Sequence, residues 1–214
     1  MIFRDRKDAG LQLADALEKY LGQDVVVFAL PRGGVVIGAE IANKLEAPLD
    51  LVITKKIGHP SNPEYAICAV AEQSEPICNP FELAKVDPRW YQDELNLVRN
   101  EIARRRQEYF GEINQTDIKG KIAIVVDDGI ATGFTMMAAI MELKKRNPAK
   151  IVVAIPVTPY DTAQTLLGLA DDLVSLDIAK DYLGAVGAYY SNFRQVEDSE
   201  VIDLLRFARS KGVG

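Results

Sequence analysis

Only one histidine, His59, and two cysteines, Cys68 and Cys78, occur among the 214 residues. With so few ligands and no metal-type spacing, a zinc site or a cysteine-stapled scaffold is not indicated. Both cysteines read as reduced thiols of a cytosolic protein. A P-loop is excluded, since no Gly-Lys-Ser/Thr is present. Long apolar runs are missing as well, so no membrane-spanning segment is expected. The N-terminal MIFRDRKDAG is too polar for a signal peptide, which points to a cytoplasmic location. Positive charge is not in excess: 25 Lys and Arg against 31 Asp and Glu give a net charge of −6. That balance argues against a general nucleic-acid binder or a partner of acidic membranes. It leaves room for an anionic small molecule, which feels only local groups. Internal repeats and low-complexity segments are also absent.

What remains is a chain with 48% hydrophobic residues, typical of a globular protein. Its length suits one large or two small domains with a sizeable core. The central stretch is Lys121–Met141, KIAIVVDDGIATGFTMMAAIM. An apolar strand, Ile122–Val126, runs into the carboxylate pair Asp127 and Asp128. A loop of small residues follows, Gly129-Ile130-Ala131-Thr132-Gly133, and a helix-compatible run begins at Phe134. In an open α/β sheet such a loop lies at the carboxyl end of a strand, where ligands sit. Loop and helix N–H groups suit a phosphate, helped by the hydroxyls of Thr132 and Thr135. The carboxylates cannot share that phosphate. They suit ribose hydroxyls or a Mg²⁺ ion. The stretch therefore asks for a phosphorylated ribose. A buried strand ending in an acidic turn is the plainer reading.

A second strand-loop-helix unit precedes it. Val25–Leu30 is apolar throughout, as in a buried parallel strand. Pro31-Arg32-Gly33-Gly34 follows, then a helix from about Val35 to Leu45. Arg32 can grip phosphate bidentately, with Gly33 and Gly34 exposing backbone N–H groups to the same anion. Alone, this run is equally a tight turn. Asp8–Leu21 reads as an amphipathic helix, docked by Phe3-Arg4-Asp5-Arg6. Leu49–Thr54 is a strand ending in Lys55 and Lys56, which could neutralise a pyrophosphate or simply be solvated. Residues 57–65 (IGHPSNPEY) read as a mobile loop, and His59 within it as a surface residue rather than an acid or base. Ala66–Ala71 is a returning strand and Glu75–Pro88 is irregular. Pro88–Phe110 is a long helix inserted between the halves of the sheet. Its Arg104-Arg105-Arg106 run reads as a solvated face, and 111–120 as the link to the central strand. Ile151–Val157 and Leu173–Asp177 are further strands, separated by a helix over Asp161–Ala170. Tyr182–Phe193 is rich in glycine and aromatics, and Glu197–Arg209 is the closing helix.

VVDDGIATGFT resembles the phosphoribosyl pyrophosphate (PRPP) binding motif of type I phosphoribosyltransferases. FRDRKDAG, ALPRGG, KKIGHPSNPE and GAVGAYYSNF extend the resemblance, over most of the chain, to bacterial predicted phosphoribosyltransferases of unassigned acceptor. It implies an α/β fold: a mainly parallel twisted sheet flanked by helices, with a small hood and a helical insertion. It also implies one domain over 1–214, with the insertion at about 76–115 and the hood and closing helix at about 178–214. The implied activity is transfer of 5-phosphoribose from PRPP to a nitrogenous base with release of pyrophosphate. Arg32, Lys55, Lys56, Gly33 and Gly34 would meet pyrophosphate. Asp127 and Asp128 would hold the ribose hydroxyls and Mg²⁺, and the segment from Gly129 through Ile130, Ala131, Thr132 and Gly133 to Thr135 the 5′-phosphate. Tyr182, Tyr189, Tyr190 or Phe193 could stack on the base, although aromatics there are more often core. Hypoxanthine/guanine enzymes carry Asp where this chain has Ala131, and a lysine that its IPVTP strand end lacks. The related group carries glycine where this chain has Cys68. A PRPP-binding regulator of the same fold and a structural subunit are competing readings. The acceptor and the oligomeric state, a homodimer among the choices, stay open.

Overall fold

The computed structural model describes residues 1–111 and 115–211; parts of the expected 111–120 link and of the C-terminal segment lie outside them. In chain order the first half contains α1 (Arg6–Ala16), β1 (Val25–Ala29), α2 (Gly33–Leu45), β2 (Leu49–Leu51), β3 (Lys55–His59), β4 (Asn62–Val70), β5 (Ile77–Cys78) and α3 (Pro80–Leu83). Then come α4 (Pro88–Phe110), β6 (Ile122–Val126), α5 (Phe134–Lys144), β7 (Lys150–Pro159), α6 (Tyr160–Leu167), β8 (Asp172–Ala179) and α7 (Asp198–Lys211).

Five strands make a parallel sheet in the order β2-β1-β6-β7-β8. Alternate residues of each strand feed opposite layers, as the pleat requires. Val25, Val27 and Ala29 of β1 join Leu13 of α1, Leu17 just after it, and Ile37 and Ile41 of α2 in one core. Val26 and Phe28 join Met136, Ala139, Ile140 and Leu143 of α5 in the other. Helices thus cover both faces, which is why β1 is buried at every position. The fold is the α/β class expected, with a parallel sheet flanked by helices. No helix among the described residues is long and apolar enough to cross a membrane.

The long insertion helix falls where the sequence places it. Asp87 caps it, accepting the N–H groups of Arg89 (2.7 Å) and Trp90 (3.0 Å), and Pro88 opens its first turn.

Several expectations need correction. Residues 57–65 are not an open loop: β3 and β4 pair antiparallel into a hairpin that reaches His59 and Asn62, so only its tip turns. Pro63 is tolerated at the start of β4, and a bulge at Ile57 and Gly58 absorbs the irregularity. The strand expected over Leu49–Thr54 spans only Leu49–Leu51. Cys68 and Cys78 are not separate thiols; they face each other across β4 and β5 and form a disulfide.

Nor is the arginine run simply solvated. Arg106 donates to Asp50 Oδ1 and Glu72 Oε1, both at 3.1 Å, and lies over Phe110. Asp50 is 2% exposed and also accepts the Thr116 N–H at 3.0 Å. Removing one partner of a buried pair leaves an uncompensated charge. Arg106→Ala should therefore lower the unfolding free energy by about 3–5 kcal/mol in urea titration. A loss below about 1 kcal/mol, the range of exposed pairs, would contradict the buried-pair account.

Candidate active site

Two loops meet at the carboxyl edge of the sheet. Residues 31–34 follow β1, with Gly33 and Gly34 already in the first turn of α2 rather than ahead of a helix starting at about Val35, and residues 127–133 join β6 to α5. Because β1 and β6 are neighbours in register, Ala29 lies beside Val126 and the loops emerge side by side. Their separation admits no side chain. A Cβ on Gly34 would stand 2.9 Å from the Val126 carbonyl oxygen and 3.1 Å from Asp127 Cα. One on Gly33 would collide with Asp128 Oδ2 and lie 2.7 Å from Arg6 Nε. The Pro31–Arg32 peptide is cis. Arg32 is part-exposed, its Nη1 3.9 Å from Asp198 Oδ1.

Gly133 caps α5 with φ +83°, a conformation side chains disfavour, and no side chain bonds the first N–H groups of that helix. Those groups and the exposed Thr132 form an anion-ready terminus. Thr162 Oγ1 steadies the loop by donating to the Ala131 carbonyl at 3.0 Å. Ile130 turns its side chain into the core, 4% exposed, so only its backbone can meet a ligand. Thr135 is half-buried in the first turn of α5.

The carboxylates are in unequal settings. Asp127 Oδ1 accepts the Asp128 N–H at 2.8 Å. Burial first, and the adjacent Asp128 charge second, hold the Asp127 carboxyl well above the usual carboxylate range. Asp128 Oδ2 instead accepts from Arg6 Nε at 2.8 Å, with side chains only 16% and 11% exposed. Arg6 also donates to the Arg194 carbonyl at 2.6 Å and lies 3.9 Å over the Phe193 ring. Sequence reasoning gave Arg6 only a docking role. Its partner lies 122 positions away, and the signals were its place at the head of a helix and within FRDRKDAG.

Tyr189 and Tyr190, expected as stacking platforms, are buried at 2% and 6%. The Tyr190 ring packs on Phe3 and Phe193, and its hydroxyl donates to the Asp128 carbonyl at 2.5 Å. Tyr189 stacks on Tyr182. Both are walls of the site rather than free faces. Tyr182 differs: its hydroxyl is buried with no hydrogen-bond partner among the described residues. Lys55, half-exposed, is tied to Glu101 on α4, while Lys56 is exposed. His59 pairs with Ser61 at the hairpin tip.

A family model described as the phosphoribosyl transferase domain matches residues 7–191. The chain belongs to the phosphoribosyl transferase family. A Mycobacterium tuberculosis protein, named provisionally as a phosphoribosyl transferase in strains CDC 1551 and H37Rv, is 37% identical over 211 residues. That match covers 95% of this chain and 46% of the relative, so the chain spans about half the length of the curated relatives it matches. A crystal structure of a Thermus thermophilus protein aligns at 38% identity with a TM-score of 0.80, covering 96% of this chain and 98% of the other. Family membership supports a transferase acting on phosphoribosyl groups.

Mg²⁺ is the metal such a family implies. Among the described residues no group of three or more His, Cys, Asp or Glu could hold an ion. Two adjacent carboxylates fit Mg²⁺ nonetheless, because that ion takes one or two protein carboxylates and completes its shell with substrate phosphates and water.

The crowding at Gly33 is testable. Gly33→Ala should cost about 1–3 kcal/mol in urea titration, because its methyl group displaces the Arg6–Asp128 pair. In an Asp128→Ala background most of that penalty should vanish, a coupling of at least about 0.5 kcal/mol. Additive penalties would show that the pair does not rest on Gly33.

Proposed function

We propose that the chain transfers the 5-phosphoribosyl group of PRPP to a nitrogenous base and releases pyrophosphate, with Mg²⁺. What supports this reading is the contact of the two loops: a phosphate-type terminus at α5, a glycine loop with Arg32, and two carboxylates between them. Such spacing matches a ligand with phosphate at one end, a diol in the middle and pyrophosphate at the other end.

In this reading the ribose C1–oxygen bond breaks and its electron pair leaves on pyrophosphate. A lone pair on the base nitrogen closes on C1, and the base loses its N–H proton to solvent. The chain contributes positioning and charge stabilisation. Arg32 and Lys55, with Lys56 at the rim, neutralise the departing pyrophosphate; Lys55 must first exchange Glu101 for it. Asp127 and Asp128 hold the ribose hydroxyls beside the positive charge that develops at C1. The 129–135 segment anchors the 5′-phosphate by its N–H groups and the hydroxyls of Thr132 and Thr135. Mg²⁺, held by Asp127 and Asp128, supplies further neutralisation of pyrophosphate when bound. Arg6 keeps Asp128 oriented, and the unpartnered Tyr182 hydroxyl offers a hydrogen bond to the acceptor.

PRPP with Mg²⁺ should raise the melting temperature, whereas ribose or phosphate alone at matched concentration should not. A ligand at a hundredfold excess over Kd stabilises the folded state by about 2.7 kcal/mol. For a chain of this size that is a shift of roughly 5–11 °C. Absence of a shift at millimolar PRPP would remove the assignment and leave the fold. Asp128→Asn should bind PRPP yet lower turnover by about a hundredfold or more. Turnover near wild type would remove its role at the ribose.

A further inference from the structure

The insertion helix α4 presents Glu101, Arg104, Arg105 and Glu108 at helical spacing, on one face. With Pro31, Arg32 and Asp198 that face lines a cavity of about 640 Å³ beginning at the 31–34 loop. Part of the stripe is ordinary surface: Arg104 pairs with Glu108 one turn away, both well exposed. The rest is connected to the loop. Arg105 Nη2 donates to Tyr109 Oη at 2.9 Å, and Tyr109 Oη donates to Asp198 Oδ1 at 2.6 Å. Asp198 Oδ1 lies 3.9 Å from Arg32 Nη1.

That last distance is too long for a hydrogen bond, although the charges attract. A free Asp198 carboxylate would close on the guanidinium and take the fork that a phosphate needs. The Tyr109 ring is 5% exposed and packed in the core, so its hydroxyl is a fixed donor. It engages Asp198, while Arg105 shares the phenolic oxygen from the other side. The same helix also holds Lys55, through Glu101. Two of the three cations placed at pyrophosphate are therefore connected to α4, Lys55 directly and Arg32 through Tyr109 and Asp198.

We propose that α4 is a working part of the pyrophosphate subsite, with Tyr109 as a positioning residue that keeps Asp198 off Arg32 and leaves the Arg32 fork open to a magnesium pyrophosphate group. This rests on the reading that pyrophosphate binds at the 31–34 loop. Arg105 supports the phenol, and Asp198 is the competing anion that the phenol restrains. Removing the phenolic oxygen lets Asp198 pair with Arg32, so pyrophosphate binds less well. Removing the Asp198 charge as well reopens the fork. A purely structural Tyr109 would show no such rescue and would not distinguish one end of the ligand from the other.

The test is titration calorimetry at fixed Mg²⁺ with inorganic pyrophosphate, PRPP and ribose 5-phosphate. It uses the wild type, Tyr109→Phe, and Tyr109→Phe combined with Asp198→Asn, with melting curves to establish folding. Tyr109→Phe should weaken pyrophosphate and PRPP about fivefold, the effect of one hydrogen bond. Ribose 5-phosphate should stay within about twofold, since it does not reach Arg32. The double variant should return both affinities to within about twofold of wild type. Arg105→Gln, on the exposed side of the phenol, should move pyrophosphate binding in the same direction by less. Unchanged affinity in Tyr109→Phe, equal loss of all three ligands, or no recovery in the double variant would each overturn the inference alone. A wild type that binds neither pyrophosphate nor PRPP would overturn both the inference and the PRPP reading.

Discussion

No side chain fits between the 31–34 loop and the end of β6, and that closeness sets the geometry of the site. Gly34 lies against the last carbonyl of β6, and Gly33 lies against the Arg6–Asp128 pair. The parallel register of β1 and β6 brings the loops to one edge; the glycines let them touch. Arg6 then adds the N-terminus and the C-terminal aromatic stretch, through Asp128, Phe193 and Arg194. Residues far apart in sequence are joined by one guanidinium, so the site depends on both ends of the described chain. A bridge from Phe3 to Tyr190 and the Ser191 N–H to Phe3 carbonyl bond (2.8 Å) secure the same junction.

The two carboxylates illustrate how environment separates identical groups. Asp128 has the Arg6 guanidinium at 2.8 Å, which fixes its orientation. Asp127 has burial and a like charge, which disfavour its own. One is thus held by an arginine, while the other holds a proton more readily than an ordinary carboxylate. Lys55 and Arg32 show the opposite arrangement, cations facing carboxylates: Lys55 is paired with Glu101 and Arg32 lies within reach of Asp198. These pairings limit repulsion between cations that an anionic ligand would bring together.

The sequence made the elements with local signals readable. Ile122–Val126 and Pro88–Phe110 appear with the bounds expected, since an unbroken apolar run and an Asp-Pro start are local properties. The Asp-Asp turn also falls in a loop as expected, whereas Gly33 and Gly34, read as loop residues, already open α2. What was not readable depends on pairing across the chain. Gly58, Pro60 and Pro63 look like loop residues, yet the β3–β4 ladder carries the segment almost to its tip. Cys68 and Cys78 gave no local sign of facing each other. Arg106 looked solvated because Asp50 and Glu72, which hold it, come from distant segments. Tyr190 could be named as aromatic, but its packing on Phe3 was set by contact between the chain's two ends.

Group transfer to a base is read out by following pyrophosphate while a panel of free nitrogenous bases is added to protein, PRPP and Mg²⁺. The account predicts that at least one base raises pyrophosphate release well above the base-free rate, with a nucleotide 5′-monophosphate formed in equal amount. Tight PRPP binding without base-dependent release for any member of the panel would contradict it, and would point to a protein that senses PRPP rather than consuming it.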